Sequence, residues 1–257
     1  MYFDERGRIW VLEWPSYNRL LRGVIPGLEK LDPPTSRVVI LEDTDGDGRM
    51  DRRTVFMDGF DWPRGLQLMK DGALVLRLPE IVFARDTDGN RQADQQEVLI
   101  NGLEIPANPH GAQSNLFRAM DNWIYGSKFP RRMRQAGGPW TSQPNLSMRG
   151  QWGLSHDNYG RFIYASNTDH LRGDLVPGHY YTRNPNYTIT AGVDVRYPQD
   201  QTVWPHAATP GVNRRGQVRE ENGTLQTFTA NTAPVVYRGN QFPPSFVGNV
   251  FLGDVSG

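Results

Sequence analysis

The chain has 257 residues and balances 28 acidic against 28 basic side chains, so nothing in its overall charge draws it to nucleic acid or an anionic membrane. It has no cysteine, which excludes disulfides, thiolate metal sites and covalent attachment of a c-type haem. Its 27 glycines and 19 prolines favour many turns over long helices, and no apolar run approaches the ~18–20 residues that span a bilayer.

Met1 is followed directly by Tyr2-Phe3-Asp4-Glu5-Arg6-Gly7-Arg8, with no apolar stretch of the kind a signal peptide needs. Asp4–Leu12 reads instead as a β-hairpin turning at Gly7. A Pro- and Gly-rich insertion at Ser16–Ser36 follows, with a short helix-like Leu20-Leu21. Arg37–Leu41 is a predicted strand, and Asp43–Asp51 is an acidic loop that returns the chain to Val55–Phe60. A second hairpin spans Gly65–Leu76, a strand covers Glu80–Ala84, and a second acidic loop occupies Asp86–Asp94. Two more hairpins follow at Leu116–Tyr125 and Trp152–Tyr164. Between them the basic cluster Lys128–Arg134 reads as a solvated loop. The stretch 177–215 is either long loops on one face or a strongly modified repeat, and Val250–Leu252 closes the chain as another strand.

The acidic loops repeat. Asp86-Thr87-Asp88-Gly89-Asn90 begins 43 residues after Asp43-Thr44-Asp45-Gly46-Asp47, and Gly59 and Gly102 keep the same interval. A repeat of roughly 40–45 residues built from short strands is the sign of a β-propeller, each repeat one four-stranded blade. The expected fold is therefore all-β: a single propeller domain over 1–257, cut at both ends, with about four to five blades present. Each hairpin supplies the inner strands of a blade, and each acidic loop joins the outer pair.

The loops also have the spacing of a calcium site. Calcium takes six to eight hard oxygens. Asp43, Asp45 and Asp47 fill the first, third and fifth positions of such a loop, Gly48 makes the turn, Arg49 offers its carbonyl and Asp51 stands at the ninth position. In the second loop Asp86, Asp88, Asn90 and Asp94 correspond, Arg91 replaces the turn glycine, and Glu97 occupies the twelfth position. Asp-Gly pairs are also good turn formers on their own. Four carboxylates crowded without a cation repel, however. Any bound ion would staple an outer hairpin and take no part in chemistry.

Ile40-Leu41-Glu42 with Asp43–Asp51 and Phe56-Met57-Asp58-Gly59 resembles the membrane-bound dehydrogenase domain of PVC-type haem-binding proteins. So do Leu116–Tyr125, Gly150-Gln151-Trp152-Gly153-Leu154, Leu171–Pro177, Pro210–Arg214 and Tyr237–Pro243. That domain is similar to the glucose and sorbosone dehydrogenases, six-bladed propellers that use calcium and pyrroloquinoline quinone. The resemblance implies an extracytoplasmic sugar or alcohol dehydrogenase that passes electrons to a cytochrome c domain on the parent chain or a partner, with no haem in this chain. It is a fold-level analogy, and fold does not establish function.

Propeller ligands sit at one mouth of the channel, on loops leading into the innermost strands. Trp62–Gly65, Pro109–Gln113, Arg149–Trp152 and Val236–Gly239 hold that position. Quinone-dependent oxidation needs a base for the hydroxyl proton and cations for carboxylates. His110 is the candidate base, Arg64 and Arg238 are the candidate cations, and Gln151 joins both arginines as a cofactor contact. The resemblance places a catalytic histidine just before an equivalent inner strand, although the interval from His110 to Asp121 is one residue longer here. His156 falls on the opposite rim, while His170, His179 and His206 lie in loops, and Tyr180, Tyr181 and Trp204 read as packing. The rival reading is a non-catalytic propeller that binds a carbohydrate or protein partner, marked by aromatics and amides at the mouth.

Overall fold

The computed structural model describes residues 1–15, 34–106, 109–145, 148–167, 169–197, 200, 202 and 231–254. The insertion expected at 16–36 falls almost wholly outside them, as do His206, Trp204 and the 210–214 motif. The described chain is all-β, with only short 3-10 turns besides its strands. It divides into two compact units, Met1–Leu116 and Phe117–Gly257.

Unit 1 contains two four-stranded antiparallel meanders. The first runs β1 (Tyr2–Phe3), β2 (Ile9–Glu13), β3 (Ser36–Glu42), β4 (Arg52–Phe60), and the second β5 (Pro63–Met69), β6 (Gly72–Arg77), β7 (Glu80–Arg85), β8 (Gln95–Ile100). As expected, each acidic loop joins the third and fourth strands of its sheet. Local chemistry sets the turns. Asp4 Oδ1 accepts the amides of Arg6 and Arg8, and Gly7 takes φ +77° to close the hairpin, a backbone region costly for side-chain-bearing residues. Ala73–Leu76 and Ile81–Ala84 are buried without a break, which means the middle of the second sheet is covered on both faces. One of those covers is the first sheet: Trp10, Val38, Ile40, Phe56 and Phe60 pack with Leu66, Ala73, Val75 and Ala84 in one core. Each such Leu, Val or Phe contributes about 1.5–3 kcal/mol by leaving water.

In the third sheet the order is β9 (Ser114–Arg118), β10 (Ile124–Ser127), β11 (Arg131–Gln135), β12 (Trp140–Pro144), with the unit boundary falling inside β9. Unit 2 also holds β13 (Leu154–His156), β14 (Phe162–Ser166), β15 (Asp169–Asp174) and β16 (Val195–Arg196), and a short pair, β17 (Val235–Val236) with β18 (Val250–Phe251). Its core joins Ala119, Trp123 and Tyr125 to Leu154, Phe162 and Tyr164. The Asp157-Asn158-Tyr159-Gly160-Arg161 turn repeats the first hairpin's chemistry, with Asp157 Oδ1 accepting the amides of Tyr159 and Arg161.

Two expectations for unit 2 are corrected. The basic cluster is no solvated loop: Arg131–Gln135 is β11, Met133 is 1% exposed and Arg132 8%. Arg132 is tolerated there because its guanidinium lies 4.3 Å over the Trp123 ring and donates to Gln143 Oε1 at 3.0 Å, which offsets much of the desolvation cost. The second concerns the histidines. His170 lies within β15 and His179 is buried at the start of a 3-10 turn, Gly178–Arg183, so neither sits in an unstructured loop. Of the alternatives for 177–215, its described part favours the modified repeat: 175–194 connects the third strand, β15, to the fourth, β16.

Candidate functional site

The acidic loops of unit 1 fold as the spacing requires. In the first, Asp43 Oδ1 accepts the amide of Gly46 at 2.7 Å and Oδ2 that of Gly48 at 2.8 Å. Gly46 and Gly48 take φ +78° and +86°, which is why glycines stand there. These bonds, the Gly48 amide foremost, hold the Asp43 carboxyl below its ordinary range. Asp43, Asp45 and Asp47 each present a carboxylate oxygen, all within 4.8 Å of one another, so they could hold a metal ion. Asp51 lies outside that group. It clamps the loop from the far side, accepting the Thr44 amide at 3.1 Å and its hydroxyl at 2.7 Å. The Arg49 amide donates to Asp47 Oδ1 at 2.8 Å.

In the second loop the grouped residues are Asp86, Asp88 and Asp94. Asp94 also clamps Thr87, and that amide bond leads the causes that lower its carboxyl pKa. Asn90 turns its side chain back on the loop, donating to Asp88 Oδ2 and accepting the Gln92 amide. Glu97 is not brought in. It lies within β8 opposite Phe83, because the ladder begins at Gln95 and carries it away from the loop.

Arg91 occupies the turn position at φ +70°, an uncommon backbone for a long side chain. Its guanidinium explains the choice: Nε donates to Glu42 Oε1 at 3.0 Å. The Ala93 amide donates to the Phe56 carbonyl at 2.7 Å. The second loop is thus fastened to the first sheet, above a cleft of about 270 Å3 lined by the Asp4 and Asp71 turns and by Arg91. Glu42 is 8% exposed and also faces Arg8 and Arg52. Arg91→Gly should therefore cost about 1–2 kcal/mol in urea denaturation although it relieves the backbone, because Glu42 stays buried with one cation fewer.

Two of the four loop segments meet in unit 1. Arg64 is the second residue of β5, and its Nε donates to the Gln113 carbonyl at 3.1 Å, which ties Trp62–Gly65 to Pro109–Gln113. Its guanidinium also lies 5.8 Å from the Trp14 ring, and Trp14 is 5.8 Å from Trp62. Trp62 is 5% exposed at φ +51°, a strained backbone for a bulky residue, of a kind that clusters at functional sites. His110 is exposed in the 3-10 turn Pro109–Gly111. Trp14 was not among the predicted site residues; its signal was the aromatic at the end of an inner hairpin.

In unit 2 the Arg149–Trp152 segment is an amide network. Gln151 Oε1 accepts the Asn167 amide at 3.2 Å, and Trp152 Nε1 donates to Asn167 Oδ1 at 2.7 Å. Arg149 is committed to Asp174, a fully buried carboxylate, at 3.3 Å. Arg238 does not join Gln151. Its Nη1 lies 3.3 Å from His156 Nδ1, at the end of β13 that pairs with Phe162, whereas Gln151 bonds to Ala165 and Asn167 at the other end. The cause is the direction of β17, which leaves Asn231 bonded to Ser166 and passes Ser155 on its way to Arg238.

No curated protein and no solved structure matches the chain. One family model does, over residues 1–257. The chain belongs to the family described as Domain of unknown function (DUF7133).

Proposed function

We propose that the chain is a run of β-propeller blades, stapled at its outer hairpins by calcium, which binds a small sugar or alcohol on the unit 2 loop leading into β13. The propeller rests on one observation in unit 1: β1 and β5, the first strands of the first two sheets, both reach the Asn115–Leu116 segment of β9, the first strand of the third, with no ladder to it. Tyr2 of β1 donates to Asn115 Oδ1 and to the Leu116 carbonyl, both at 3.2 Å. Gly65 of β5 lies so close to the same segment that a Cβ there would sit 2.8 Å from the Asn115 carbonyl carbon. In unit 2, β17 runs beside β13 in the same way. Blades around a channel pack like this, and sheets stacked as a plain sandwich do not.

Calcium suits the donor set of hard carboxylates at the loops' acidic positions. Pyrroloquinoline quinone suits the described residues poorly. Its several carboxylates call for converging cations, yet Arg238 is at the His156 end of β13 and Arg149 is paired with Asp174. Amides and an indole, Gln151, Asn167 and Trp152, are what the unit 2 loops offer, and such groups recognise hydroxyls. That observation favours binding over oxidation.

The second reading is the quinoprotein-type dehydrogenase, working outside the cytoplasm beside a cytochrome c domain, with His110 as base and Arg64 as cation. Titration calorimetry with a panel of mono- and disaccharides and polyols, run beside a dye-reduction assay with added pyrroloquinoline quinone, separates the two. We expect a sugar to bind with a Kd on the order of a millimolar or tighter, Trp152→Ala to weaken it at least tenfold, and no dye reduction. Turnover that His110→Ala abolishes would establish the dehydrogenase instead, and a panel without any binder would defeat both.

A further inference from the structure

In unit 2 the connection from β15 to β16 takes the place that the acidic loops hold in unit 1, and it carries a buried histidine. His179 is 5% exposed. Its ring stacks on Tyr125 at 5.8 Å and leans on Tyr180 at 4.1 Å. The Tyr125 hydroxyl lies 3.4 Å from Nδ1 and 3.5 Å from Nε2. Among the described residues the acid that acts on His179 is Asp121, in the turn between β9 and β10, and its oxygens are committed. Oδ2 accepts Tyr125 Oη–H at 2.7 Å and Tyr180 Oη–H at 2.9 Å, while Oδ1 accepts the Trp123 amide at 3.1 Å. Among the described residues the other charges acting on this cluster are cations. Arg132 of β11 donates to Tyr125 Oη at 3.4 Å, and Arg183 of the same 3-10 turn lies 4.6 Å over the Tyr180 ring.

We propose that His179 is a pH-sensitive latch: as a neutral imidazole it seats the 175–194 connection on Tyr125 and the Asp121 turn, and as an imidazolium it releases that connection. A protonated ring here would be desolvated, with Arg132 and Arg183 repelling it and Asp121 already holding three donors, so the charged form is expelled. Burial first, then Arg132, pushes the His179 pKa from 6.5 down to about 4, against a partial pull from Asp121. The released form takes up its proton near 6.5 and the seated form only near 4, so seating is fully favoured above pH 6.5 and is lost as pH falls toward 4. Each pH unit in that window shifts the balance by up to about tenfold.

The test pairs imidazole NMR titration of the intact chain with amide hydrogen exchange, corrected for intrinsic rates. Wild type should show a His179 pKa well below 6.5 and should lose protection at 178–194 on acidification while β10 and β11 keep theirs. His179→Gln should lose the acid response, and His179→Lys should be open at neutral pH. A His179 pKa at or above 6.5, protection that persists in wild type at about pH 4, or a glutamine variant that opens like wild type would each overturn the latch.

Discussion

Removing calcium is expected to lower the thermal midpoint by about 5–10 °C. A single site held at a hundredfold excess over its Kd stabilises the folded state by about 2.7 kcal/mol, and a domain of this size moves roughly 2–4 °C per kcal/mol. The residues responsible are Asp43, Asp45 and Asp47, whose oxygens crowd within 4.8 Å. Asp45→Asn separates metal binding from turn formation. The amide keeps an oxygen to accept the Asp47 N–H, a bond of 3.2 Å in the native loop, but it removes one of the repelling charges. In chelator the variant should melt at or slightly above wild type; in calcium it should melt clearly below it. Calorimetric scans with and without EDTA measure both, and superimposable wild-type scans would remove the ion from the account.

Gly65→Val is expected to cost about 3 kcal/mol or more, and Gly65→Ala about 1–3 kcal/mol. A Cβ at Gly65 meets backbone alone: the Asn115 carbonyl carbon at 2.8 Å, the Leu116 nitrogen at 3.0 Å and the Asn115 oxygen at 3.1 Å. Backbone cannot swing aside as a side chain tip can, so β5 must move away from that segment. Asn115 is itself fixed at φ +59° with its side chain bonded to Tyr2, and movement there would strip the Tyr2 hydroxyl of both acceptors. Urea midpoints give the cost. A neutral Gly65→Val would mean that the first strands of successive sheets do not abut.

What could be read in the sequence was what the chain decides locally. Asp, Gly and Asn at the hairpin tips dictate their own turns through side-chain to backbone bonds within five residues, as at Asp4, Asp43 and Asp157. The hairpins and the position of both acidic loops therefore followed from residue type and spacing. What depends on tertiary contacts did not. Arg91 looks like a damaged turn glycine until Glu42, 49 residues earlier, is placed beside it. Arg132 reads as a solvated charge because its alternatives to water, the Trp123 ring of the β9–β10 turn and Gln143 of β12, come from other elements. Arg238 reads in the sequence as a neighbour of Gln151, because the direction of β17 beside β13, which carries it to His156, leaves no trace in the spacing of either. His179 was hidden by a loss of repeat phase, since the β15–β16 connection shares no pattern with the acidic loops whose place it takes.

The most direct measurement is anomalous diffraction from crystals grown in calcium. An ion must appear in the first loop about 2.3–2.6 Å from oxygens of Asp43, Asp45 and Asp47, and in the second sheet the first strand must lie at Gly65 beside the Asn115–Leu116 segment of β9. A loop with the same fold and no ion at saturating calcium, or first strands held apart at Gly65, would contradict the proposal.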